Sequence, residues 1–146
     1  MSALEETLRQ LAPGLAQMRD DWWLIGSAAM ALAGAEGLTV ADVDLLASAA
    51  DARRLAALWG VTPAPPAPNP LFRSEIYFQW MEPPLPVDVM AGFQVRGPDG
   101  WRPLRPVSRV AAGGVFIPSV AEQIDILGLF DRPKDRERAV ALRALV

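Results

Sequence analysis

Apolar residues recur at Leu4, Leu8, Leu11, Leu15 and Met18, intervals of three or four that place them on one side of a helix. Ser2-Ala-Leu-Glu5 has capping-box spacing and starts that helix, and Pro13-Gly14 is expected to kink or split it. The period then changes. Trp22 to Ile25 is a short unbroken apolar run, the pattern of a buried strand, and it ends at Gly26. Ala28 to Ala33 predict a helix capped by Ser27 and stopped by Gly34. Val40 to Ala47 predict a second strand, and Ala49 to Trp59 a helix ended by Gly60.

Thr62 to Pro70 hold five prolines, which bar both helix and central strand and predict a surface loop. Phe72 to Trp80, Val87 to Val95 and Gly114 to Ile117 read as strands. Gly97-Pro-Asp-Gly100 is a turn, and Pro103 and Pro106 mark irregular chain after it. Ser119-Val-Ala-Glu122 repeats the capping-box spacing before a largely buried helix carrying Val120, Ile124 and Leu127. Asp131-Arg-Pro-Lys134 opens a last helix with Val140, Leu142 and Leu145 as apolar anchors. The order predicts one mixed α/β (α+β) domain over residues 1–146, its C-terminal part helical from about 119 to 146.

Three acids break this pattern. Asp42 and Asp44 lie in the second predicted strand, and Asp88 lies between valines in a later one. Residues i and i+2 of a strand share a face, so Asp42 and Asp44 project together while Val43 and Leu45 point to the core. If the two strands pair, Asp88 joins them at a lateral spacing of about 4.8 Å. Carboxylates about 5 Å apart repel by roughly 3 kcal/mol at an effective dielectric near 20, so the cluster favours a divalent ion, a basic partner or protonation. Asp88 has an alternative as a strand-end acid paired with Arg73, Arg96 or Arg105. Glu75, Tyr77 and Gln79 share a strand face that either lines a cleft or is simply exposed.

The chain has no cysteine and no histidine, which excludes disulfides, Ser-His-Asp triads, cysteine nucleophiles and Cys/His zinc sites. Any metal must therefore bind oxygen, which favours Mg²⁺ or Mn²⁺. The net charge of −3 argues against long nucleic acid as the main partner but leaves room for a local basic patch. Acids near Met1 and the lack of a run of roughly 20 apolar residues predict a cytoplasmic protein with no membrane span.

Ile25-Gly-Ser-Ala-Ala-Met-Ala-Leu-Ala-Gly34, Asp42-Val-Asp-Leu-Leu46 and Val87-Asp-Val-Met90 together resemble the minimal nucleotidyltransferases of the DNA polymerase beta-like superfamily. Glu122 to Asp135 resembles the ending of the stand-alone bacterial members, among them antitoxin-type and antibiotic-modifying relatives. The resemblance implies the nucleotidyltransferase fold, a mixed sheet flanked by helices. It also implies an NTP as substrate, with Asp42, Asp44 and Asp88 holding Mg²⁺ and Asp88 acting as base. Gly26 and Ser27 would contact the triphosphate, with Lys134 as a further phosphate contact.

The expected activity is Mg²⁺-dependent transfer of a nucleoside monophosphate to a hydroxyl on a small molecule, a protein or an RNA end. Many active members carry a basic residue directly after Gly-Ser, where this chain has Ala28 and Ala29. That departure supports the alternative, a non-catalytic binding or antitoxin-like regulatory module. A small apolar patch near the last two helices would suit a homodimer or a protein partner.

Overall fold

A computed structural model describes residues 1–146. Five helices and nine strands alternate along the chain. Helix α1 (Ala3–Leu15) opens with the complete Ser2/Glu5 capping box. Pro13 sits in its last turn, where it neither splits nor ends the helix. Gly14 lets α1 approach helix α3 (Ala49–Trp59) closely, since a Cβ there would lie 2.9 Å from the Trp59 ring. Strand β1 (Trp23–Ile25) runs directly into helix α2 (Gly26–Leu32). Strand β2 (Val43–Ala47) leads through Ser48, whose hydroxyl accepts from the Asp51 N–H, into α3, which ends on left-handed Gly60.

The predicted strand over Phe72 to Trp80 is two strands, β3 (Phe72–Arg73) and β4 (Ile76–Trp80). Val87 to Val95 is likewise broken, into β5 (Val87–Ala91) and β6 (Gln94–Gly97). The breaks face one another: Gly92 turns at φ +60°, with Glu75 packed where a Cβ would otherwise be. The Gly97–Gly100 turn joins β6 to β7 (Gly100–Pro103), a strand the prolines concealed. The strand expected at Gly114 to Ile117 is one arm of a hairpin, β8 (Val110–Ala112) with β9 (Val115–Ile117).

Four strands form the central sheet in the order β1-β2-β5-β4, with β2 and β5 parallel and the outer pairs antiparallel. Strand alternation sorts its residues into two faces. Leu24, Val43, Leu45, Phe78, Trp80, Val87 and Val89 point to one side and form the main core with Leu11, Ala52 and Leu55 of α1 and α3. Stacked Trp59 and Trp80 rings, 4.0 Å apart, seal one edge of it. The opposite face carries Trp23, Ile25, Leu46 and Met90, which pack with Phe93, Val95 and Ile126. Trp22 and Trp23 are both buried in these cores.

Helices α4 (Val120–Phe130) and α5 (Pro133–Arg143) pack on each other and on α2 through Met30, Leu127, Ala139 and Leu142. Val140 is exposed, against expectation, because the helix turns Ala139 and Leu142 inward instead. Ser119 caps α4 as its spacing predicts. Glu122 does not complete the box: its carboxylate instead accepts the N–H groups of Val107 and Ser108, 2.8 Å away. That contact ties the irregular segment after Pro106 to α4.

Candidate active site

The register of the central sheet aligns Ile25, Asp44, Asp88 and Gln79 in one row across its four strands. Asp42 precedes β2 by one residue and lies two before Asp44. Oxygens from Asp42, Asp44 and Asp88 all come within 4.8 Å of one another. None of the five ion pairs in the structure involves any of them. Buried Asp51 shows the opposite arrangement. Burial pushes its carboxyl up, but the N–H groups of Arg19 and Asp20 and the Arg54 guanidinium outweigh that and hold it below its ordinary range.

Burial, reinforced by Asp42 and Asp88, pushes the Asp44 carboxyl up to about 7. Asp42 is also raised, first by burial and then by Asp88, while Lys134 and Arg138 pull it back down. Asp88 does not pair with Arg73, Arg96 or Arg105. Its Oδ1 accepts from the Tyr77 hydroxyl and the Gln79 amide, each at 2.8 Å, leaving Oδ2 without such a partner. Burial and then Asp88 raise the Tyr77 phenol, which keeps it a donor. Of the two open readings of the Glu75, Tyr77 and Gln79 face, the cleft-lining one holds for Tyr77.

Gly26 sits directly beside this cluster. Its φ of +69° is left-handed, and a Cβ there would lie 2.5 Å from Asp44 Oδ2. Both the turn and the close approach of the carboxylate therefore require glycine. Ser27 is not the helix cap. It lies inside the first turn of α2, where Ile25 is the cap residue and no side chain caps the helix. Gly26 and Ser27 both line a cleft of about 430 Å³ that also takes in Asp42 and Asp44.

Lys134 and Arg138 also line the cleft, near enough to Asp42 to pull its carboxyl down. They are one helical turn apart on α5 and neither is in an ion pair. Sequence reasoning singled out Lys134 and left Arg138 among the basic residues of the run Arg132 to Arg138, read first as a solvated face and only second as able to reach a phosphate. Neighbouring Arg132 is committed to buried Asp135, and Arg136 to Asp131. Ala28 and Ala29 are fully buried in the core, so neither offers the cleft a basic group. Asp42 and Asp44, with Asp88 beside them, thus share a space of ligand size with two unpaired cations.

No family model matches the chain, and the comparison with curated proteins returned no match. Two solved structures are similar over nearly its whole length. One is a candidate nucleotidyltransferase from Thermotoga maritima (TM1012), with a TM-score of 0.64 and 21% identity over 94% of this chain and 88% of that one. The other is the lincosamide antibiotic adenylyltransferase LnuA with lincomycin bound, with a TM-score of 0.63 and 14% identity over 97% of this chain and 98% of that one. On these two likenesses the chain has the nucleotidyltransferase fold.

Proposed function

We propose that this chain is a nucleotidyltransferase dependent on Mg²⁺ or Mn²⁺, moving a nucleoside monophosphate from an NTP to a hydroxyl acceptor. A fold hosts many activities, so the reading rests on the site. The observation that carries it is the convergence of three carboxylates outside any ion pair, two of them lining one cleft with unpaired Lys134 and Arg138. The donor set fits a hard divalent ion: three oxygens, mutually close, on adjacent strands. Asp42, Asp44 and Asp88 would hold it, and it would supply charge neutralisation and alignment of the triphosphate.

The remaining work falls to the chain. Lys134 and Arg138 take the outer phosphates, and the Gly26-Ser27 turn receives a phosphate oxygen at an uncapped backbone. Asp88, turned by Tyr77 and Gln79, presents Oδ2 to the acceptor hydroxyl and takes its proton. The acceptor oxygen bonds to the α-phosphorus as the bond to the β-phosphate bridge breaks, and pyrophosphate leaves. Rate enhancement is then mainly positioning and electrostatics.

The test is transfer of α-labelled phosphate from each of the four NTPs, with Mg²⁺ or Mn²⁺, onto components of a cell extract. Label transfer by wild type but not by Asp42→Asn or Asp44→Asn supports the proposal. The second reading, a regulatory binding module, is favoured by Ala28 and Ala29. It predicts metal-dependent NTP binding with no transfer under any condition. Absence of both transfer and binding overturns both readings.

A further inference from the structure

From the small sheet β3-β6-β7 we infer an acceptor class: the end of a single-stranded nucleic acid, docked outside the cleft. The inference rests on the proposed transferase reading. A nucleoside triphosphate, with about thirty non-hydrogen atoms, takes up most of a cleft of 430 Å³. The acceptor must then reach the α-phosphate from the rim.

One rim is built for an anion with a flat base. On one face of the small sheet the register places Arg73 beside Gln94 and Arg96 opposite Trp101. The Arg73 guanidinium lies 4.5 Å from the Trp101 ring centre, and that of Arg96 lies 5.8 Å away. Both arginines are exposed, and neither is in an ion pair. Arg73 donates through Nε to Gln94, which holds its position while its two terminal nitrogens make no hydrogen bond within the protein. Arg73 also lines the cleft itself.

In a chain of net charge −3, the paired positions of this face, Arg73, Gln94, Arg96, Trp101 and Pro103, hold two arginines and no acid. A guanidinium stacked on a half-buried tryptophan offers its outer face to an unstacked base and its unbonded nitrogens to the adjoining phosphates. A terminal hydroxyl of such a strand would lie toward Asp88, with Arg73 bridging the docking face and the reaction site.

Fluorescence anisotropy with a labelled 12-nucleotide single strand, in RNA and DNA arms and with a duplex control, tests this without NTP or metal. Wild type is expected to bind single strand in preference to duplex, and the two arms identify which sugar is preferred. Trp101→Ala is expected to weaken binding roughly tenfold, with Trp101→Phe restoring most of it. Arg73→Gln with Arg96→Gln is expected to flatten the salt dependence by about 1.4 in log–log slope, at unchanged melting temperature. Asp42→Asn with Asp44→Asn is expected to lose nucleotide binding yet keep the oligonucleotide, which separates this inference from the catalytic reading. No single-strand binding by wild type at low salt overturns it, and so does affinity unchanged in the folded Trp101 and arginine variants.

Discussion

Replacing Asp44 by asparagine is expected to stabilise the metal-free protein, an unusual result for a polar residue in a sheet. The oxygens of Asp42, Asp44 and Asp88 lie within 4.8 Å of one another, and a charged pair at that distance repels by about 3.5 kcal/mol at an effective dielectric of 20. The total cost of charge at Asp44, in which burial is the largest cause and the repulsion comes second, is of the same order. The Asp44 carboxyl stands at about 7 in the fold against 3.8 ordinarily. Each unit of that difference is worth about 1.4 kcal/mol, so ionising it in the fold costs on the order of 4 kcal/mol. Because the folded value is the higher one, the retained proton supports the fold fully below about pH 4. That support is lost as pH rises through about 7.

The asparagine amide stays neutral at every pH and still offers Asp88 a donor. In urea denaturation with EDTA, the Asp44→Asn variant is expected to be more stable than wild type by about 2–4 kcal/mol at pH 8.5. The difference is expected to shrink by about 2 kcal/mol on going to pH 5.5. Saturating Mg²⁺ is expected to reverse the order, since it binds the native wild type and not the variant. A variant less stable than wild type at pH 8.5 without metal, or a difference independent of pH, would refute the claim that these acids repel one another in the fold.

Gly26→Ala is expected to cost about 2–4 kcal/mol in denaturation, from the left-handed turn and the contact with Asp44 together. Adding Asp44→Ala should recover only the contact part of that loss, and full recovery would show that the turn carries no strain. Lys134→Ala with Arg138→Ala should raise KM for NTP at least tenfold with little change in melting temperature; a lowered kcat at constant KM would place these cations elsewhere. Tyr77→Phe should weaken Mn²⁺ binding, measured by electron paramagnetic resonance, by roughly tenfold through loss of one hydrogen bond to a charged group. Unchanged affinity in that variant would mean that Gln79 alone orients Asp88. Asp51→Asn should lower stability by about 2 kcal/mol while leaving Mn²⁺ affinity intact, since its partners lie in the Arg19–Asp20 turn and α3.

The site was legible in the chain where its signals are local. Asp42 and Asp44 share a face by strand alternation alone, and Gly26 ends an apolar run as a strand-to-helix turn does. Whether Asp88 joins them depends on which strands pair, and period-two patterning says nothing about neighbours. The Asp44–Asp88 register settles it. The bend at Gly92-Phe93 was hidden because apolar residues flank it, and that at Ser74-Glu75 because a short polar stretch between Phe72 and Ile76 also fits one half-exposed strand. Arg138 was hidden differently. Of the charges around it, Arg132, Asp135, Arg136 and Asp131 neutralise one another, and only the packed helix shows which cations remain free. Glu122 took a distant partner, the Val107–Ser108 backbone, over the local one that its spacing implied.

Titration calorimetry of ATP, GTP, CTP and UTP into the protein, each with and without Mg²⁺, tests the central claim most directly. The account predicts that at least one nucleotide binds only with Mg²⁺, and that Asp42→Asn and Asp44→Asn each abolish the heat while both variants stay folded. Nucleotide binding that is equally tight without metal, or that survives both substitutions, would contradict the assignment of these acids as a metal-dependent nucleotide site.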